Sequence, residues 1–194
     1  MPKKKSTAPR LLGHFPTHCK AAFGPVLDEH GFAPLECDIT ATTARQVFAS
    51  GVRYVEVSAN LEPRDAPHYC AVTLGEGKRS WPERDWNAVP LWRMIADIDP
   101  ARVPTDRDPY GVSGPQEVEP VLGRMAADLR QYGGDFLRGD LERFYRLRAQ
   151  QTRGRESYTI WSPDGSGRHR PRPDPESAEL KARFSKADGS AADA

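Results

Sequence analysis

The residues with chemical potential are scattered rather than gathered into a motif. His14, His18 and Cys19 lie close together, and His68 and Cys70 sit two apart, on one face if that segment is extended. Zinc needs three or four such ligands. The chain has neither a C-x-x-C nor an H-E-x-x-H, so we assign no metal-binding residue. Asp135 and Asp140 are five apart, which on a helix turns them about 140° away from each other and disqualifies them as an acid/base pair. They read instead as a helix cap and as an i, i+3 partner of Arg143. Ser113-Gly114 and Ser166-Gly167 lack a strand–turn–helix context for a nucleophile. Gly75-Glu76-Gly77 lacks the third glycine and the Lys-Ser/Thr ending of a phosphate loop, and reads as a hairpin or strand-end turn. These absences predict no catalytic residue and no cofactor. The strongest recognition signal is Trp81, Trp86 and Trp92 interleaved with Arg79, Arg84 and Arg93. Trp and Arg dominate interface hot spots, and the same pair of residue types can stack bases beside positive charge.

The elements that position these residues follow from periodicity. A helix-like segment runs from Cys19 to Glu29, with Thr17 as a candidate cap and Pro25 as an alternative start. Gly31 ends it, and Phe32 folds back on it. Strands are expected over 34–39, 45–50, 52–61 and 69–74, in which Val47 and Ala49 oppose Phe48, and Val55, Val57 and Ala59 oppose Tyr54, Glu56 and Ser58. Residues 81–98 read as helical, starting after Pro82 or Pro90. Residues 101–115 read as a long loop. Val118, Val121, Leu122, Met125 and Leu129 mark a helix over 118–132. Asp135 caps a further helix over 136–150 that contains Gly139, a residue costing about 1 kcal/mol there relative to alanine. A short strand is expected at 158–161.

Composition bounds the rest. A chain of 194 residues is one domain with tails. Its net charge of +1 conceals an acidic body, net −5 over residues 21–150, behind a basic arm that includes Lys3, Lys4 and Lys5. Three widely spaced cysteines suit free thiols in a reducing compartment. No apolar run follows the basic arm and none approaches eighteen residues, so neither a signal peptide nor a membrane span is expected. The expected organisation is a disordered basic arm over 1–16, a single α+β domain over 17–161 and a disordered tail over 162–194. Within the domain we expect an antiparallel sheet of three to five strands, helices on one face, and an exposed outer face carrying Arg45, Tyr54, Glu56 and Ser58.

This order, a helix, Gly31-Phe32, strands with acidic and aromatic outer positions, then two helices, resembles several small bacterial families of unknown function. Some of those look like immunity proteins of contact-dependent or polymorphic toxin systems. The resemblance covers residues 19–150 in arrangement, with Gly31-Phe32 and the run Phe136-Leu137-Arg138-Gly139-Asp140-Leu141 as its nearest approach to motifs. It implies a non-enzymatic binding protein. Together with the acidic body, the lack of a catalytic constellation and the clustered Trp/Arg segment, this leads us to expect a cytoplasmic protein-binding module, such as an immunity-like inhibitor of a bacterial toxin, with a protein partner. The residues expected to bind are Trp81, Arg84, Trp86, Tyr54 and Glu56. Two alternatives remain open: a small-molecule binder or enzyme with its pocket between the sheet and loop 101–115, and a weak nucleic-acid binder using its basic tails, including Arg168-His169-Arg170-Pro171-Arg172.

Overall fold

A computed structural model describes residues 11–64, 67–102, 110–163 and 168–186. The fold is α+β. The first helix, α1 (Phe15–Leu27), leads through a 3-10 turn into a meander of four strands: β1 (Ala33–Ile39), β2 (Thr43–Ser50), β3 (Arg53–Asn60) and β4 (Tyr69–Glu76). A short β5 (Ala88–Pro90) completes an antiparallel sheet of order β1-β2-β3-β4-β5. Then come α2 (Leu91–Ile98), α3 (Val118–Tyr132), α4 (Gly134–Arg138) and α5 (Glu142–Arg153). A separate antiparallel ribbon of β6 (Thr159–Pro163) and β7 (His169–Pro173) precedes α6 (Pro175–Phe184). Among the described residues no helix is long and apolar enough to cross a membrane.

Alternation decides what each sheet face meets. Phe48, Val55, Val57, Ala59, Cys70, Val72 and Leu74 point inward, onto Phe15, Cys19, Phe23 and Leu27 of α1 and the stripe Val118, Val121, Leu122, Met125 and Leu129 of α3. Each of these side chains is buried, and burying each Val, Leu, Phe or Met contributes roughly 1.5–3 kcal/mol before cavity terms. The β2–β3 hairpin closes in two residues, with Gly51 first at φ 60°, the position where a II′ turn requires glycine. Gly31 is left-handed at φ 73°, and the Phe32 N–H returns to the Leu27 carbonyl, as the sequence predicts.

Several expectations need correction. Pro25 lies inside α1, which begins at Phe15; the expected disordered arm therefore holds ordered residues, with Leu12 and Phe15 buried, while residues 1–10 lie outside the described ones. Of the two starts expected for the helix in 81–98, the one after Pro90 holds: α2 begins at Leu91, and before it there is only a 3-10 turn at Glu83–Asp85, because 77–87 are drawn across the sheet by contacts described below. The expected helix 136–150 is two helices. Gly139 sits between them at φ 92°, where a side chain is strained, and so ends α4 instead of interrupting a helix. Arg53 of β3 donates to the Phe136 and Leu137 carbonyls (2.7 and 2.9 Å), capping α4 from the sheet. Asp135 is in the first turn of α4 rather than at its cap, which is Gly133, and pairs with Arg138 at 2.6 Å; Arg143 reaches Asp97 and Asp135, not Asp140. Finally, the tail expected to be disordered holds β7 and α6 as far as Ser185–Lys186. Asp174 accepts from the Ser177 N–H, Pro175 occupies the first turn, and Leu180 and Phe184 bury themselves one turn apart.

One surface clamp titrates. Arg146 of α5 grips Asp97 of α2 through both oxygens (2.9 and 2.6 Å), with Arg143 at 3.8 Å. The hydrogen bonds from Arg146 hold the Asp97 carboxyl below the usual carboxylate range. Because its folded value is depressed, the pair's stabilisation is present above about pH 4 and is lost as pH falls through the folded value. Asp97→Asn is therefore expected to cost about 0.5–1 kcal/mol at neutral pH, the scale of a partly exposed pair. Urea titrations across pH should show the difference from wild type closing below about pH 4.

Candidate binding face

The outer face of the sheet is built from the residues opposite the core. Register sets Arg45 against Ser58 and Asp38, Glu56 against Val47 and Thr73, and Tyr54 against Ala49 and Gly75. Val47, Tyr54 and Ala88 form a small buried apolar cluster there, with Ala49 at its margin. The face is not left open: residues 77–87 fold back over it as a roof. Asn87 fastens that roof, accepting from the Tyr54 hydroxyl (2.7 Å) and donating to the Lys78 carbonyl (2.6 Å). Tyr54, expected on an exposed surface, is fully buried, and burial pushes its hydroxyl well above the ordinary tyrosine value. Its ring lies directly over Gly75, where a Cβ would stand 2.0 Å from Cζ.

Roof and sheet meet in an ion-pair network. Glu56 is the shared acceptor, receiving Arg45 Nε (2.8 Å) and Arg84 Nη1 (3.4 Å) on one oxygen. Arg45 also reaches Glu36 (3.1 Å) and Asp38 (3.0 Å), and Arg79 Nε donates to the other oxygen of Glu36 (3.3 Å). Burial opposes the charge on Arg45, but the hydrogen bonds to Glu56, Glu36 and Asp38 outweigh it and keep the guanidinium cationic. Beside this network lies an open groove of about 740 Å³ whose lining includes Arg45, Lys78, Arg79, Arg84 and Arg183 against Glu36 and Glu83. Positive side chains therefore converge on one face of a body that is net acidic in sequence. Fixed guanidiniums present planar, forked donors suited to carboxylates and other oxyanions.

The tryptophan cluster does not act together. Trp86 is buried with Leu180 and Phe184 in a second small core, under the Arg155 guanidinium at 5.0 Å. It packs an interior and presents no surface. Trp92 packs on the main core and carries Arg93 over its ring at 4.8 Å. Trp81 alone is exposed, at 68%, stacked on Tyr158 with ring centroids 6.0 Å apart. Tyr158 in turn donates to Asp85 at 2.6 Å; partial burial and then that bond push its hydroxyl up to about 12.

Of the five residues expected to bind, the structure brings Glu56 and Arg84 into direct contact, keeps Trp81 exposed at the end of the roof, and withdraws Tyr54 and Trp86 into packed interiors. Sequence reasoning missed Glu36, Lys78 and Arg183. Glu36 follows a register irregularity between Pro34 and Glu36, and Arg183 comes from a helix read as tail, so neither carried a local signal. Residues 103–109 of the loop 101–115, against which the alternative pocket is expected, lie outside the described residues. Among the described residues, no group of three or more His, Cys, Asp or Glu is arranged to hold a metal ion. No protein-family model, curated protein or solved structure matches the chain.

Proposed function

We propose that the chain is a non-enzymatic protein-binding module that uses its roofed outer sheet face to hold an acidic surface of a protein partner, as an immunity-like inhibitor of a bacterial toxin would. The observation that carries this reading is the preorganised set of guanidiniums. Arg45, Arg79 and Arg84 are oriented by Glu36 and Glu56 before any partner arrives, so little side-chain entropy remains to be lost on binding. Trp81 supplies an exposed aromatic near the same roof, the pairing of residue types most often found at energetic hot spots.

The test is co-purification of the tagged chain from nuclease-treated lysate of its native organism, beside the double variant Arg79→Glu/Arg84→Glu. The native chain is expected to retain one stoichiometric protein. The variant should lose it by at least about tenfold in affinity, about 1.4 kcal/mol. Capture of no partner, or equal capture by both chains, would remove the proposal.

A further inference from the structure

Among the described residues, the β6–β7 ribbon has one edge blocked by proline and one open edge. The Asp174 N–H donates to the Tyr158 carbonyl, and pairing then proceeds Thr159↔Pro173, Ile160↔Arg172, Trp161↔Pro171, Ser162↔Arg170 and Pro163↔His169. In an antiparallel ladder, opposed residues alternate between exchanging hydrogen bonds and pointing their backbone groups away. The bond between 158 and 174 sets the phase: the even-numbered residues bond within the ribbon, and the odd-numbered ones point outward. On β7 the outward positions include Pro171 and Pro173, which have no N–H to offer. On β6 they include Thr159 and Trp161, which do.

We propose that two copies of this chain join through the free edge of β6, antiparallel about a twofold axis at Trp161. The two Trp161 backbones then exchange hydrogen bonds, and each Thr159 N–H meets the opposite Pro163 carbonyl. β6 carries no charged residue, so its self-pairing sets no like charges against each other. Ile160 and Trp161 are 44% and 67% exposed in the single chain, and an isolated two-stranded ribbon is marginal in water until further strands or packing join it. Pairing is also biased to stop at two. The outer edges of the resulting four-stranded sheet are both β7, where two of the three outward positions are proline and only His169 offers an N–H, which disfavours extension to a fibre. The remaining edges of the main sheet are managed differently: β1 carries Pro34, a register irregularity, Glu36 and Asp38, and β5 is three residues long and ends in Pro90.

Sedimentation velocity over a concentration series tests this on the full chain. The expected result is a concentration-dependent species of two chains. Trp161→Lys, which sets two charges face to face on the axis, should weaken association at least about tenfold. Trp161→Pro, which removes the edge N–H but no bond within the ribbon, should do the same, with circular dichroism confirming that each variant is folded. As an independent check, Ile160→Cys/Ser162→Cys in a Cys37→Ser background places cysteines opposite each other across the axis, and mild oxidation should give covalent dimers. A single-chain mass at every concentration without cross-linking would overturn the proposal. So would a dimer that both Trp161 variants leave intact.

Discussion

Gly75→Ala is expected to destabilise the protein by about 3 kcal/mol or more, although it adds one methyl group to a strand. The new Cβ would lie 2.0 Å from Cζ, 2.3 Å from Oη and 2.5 Å from Cε1 of Tyr54, so the ring must leave. It has no room to do so, because Tyr54 is fully buried between Val47 and Ala88. Overpacking of this kind costs roughly 1–3 kcal/mol. Displacing the ring also breaks the hydroxyl's 2.7 Å bond to Asn87 and leaves a buried donor unpaired, which costs about 1–3 kcal/mol more. Urea denaturation should show the loss as a lower midpoint with an unchanged slope. A double-mutant cycle isolates the cause: in a Tyr54→Leu background the same Gly75→Ala change should cost about 1 kcal/mol or less. If the two changes prove additive, the ring over the glycine is not what limits the position. Because Asn87 also anchors the roof, Gly75→Ala should also weaken binding of the partner proposed above, through the roof rather than through the groove's charged residues.

The second large effect lies where β4, α5 and α6 meet. Arg148 is 1% exposed and its Nη1 stands 3.7 Å from an oxygen of Glu76, itself 7% exposed. Tyr145 donates to the other carboxylate oxygen at 3.1 Å. The guanidinium is packed among Phe144, Tyr145 and Phe184, with ring centroids at 5.4, 4.8 and 4.8 Å. Arg148→Met would leave the Glu76 charge buried without its cation, and is expected to cost about 3–5 kcal/mol. Glu76→Gln/Arg148→Met, which removes both charges, should regain most of that loss. Thermal melts of the two single variants and the double variant decide the matter; a double variant as unstable as the sum of the singles would show that the charges are not coupled. Arg148→Lys should not rescue, because an ammonium cannot lie flat among three rings. The same contact ties α6 to the end of β4, where the roof begins, so loss of Arg148 is expected to loosen Arg183 and the groove as well.

The elements legible in the chain are those whose pattern is local. The alternation of Val55, Val57 and Ala59 against Tyr54, Glu56 and Ser58 placed β3 and its faces correctly, because a strand's period is fixed by its pleat. The stripe through Val118, Val121, Leu122, Met125 and Leu129 likewise gave α3, and Gly31-Phe32 gave the turn after α1. Gly139 was misread because a glycine in a helical stretch carries two meanings, a cost inside a helix or a left-handed stop after one. Only the stop offered by Arg53, eighty-odd residues away, selects between them. The helix α6 falls in a segment whose Pro, Ser, Asp and Arg content, at face value, reads as disordered tail; its order rests on Leu180 and Phe184 packing with Trp86, about a hundred residues away.

The sequence alone thus determined an α+β chain with an antiparallel meander, an acidic body, and arginines concentrated around Trp81–Arg93. Those properties follow from side-chain type and spacing, which act over a few residues. The tertiary structure alone decided that Tyr54 and Trp86 are interior while Arg84 and Glu56 meet, because the fold-back of 77–87 over the sheet depends on Asn87 reaching Tyr54 and on Glu36 and Glu56 receiving Arg79 and Arg84. Contacts between residues tens of positions apart are set by how strands are ordered and which face is covered, and no periodicity along the chain encodes that.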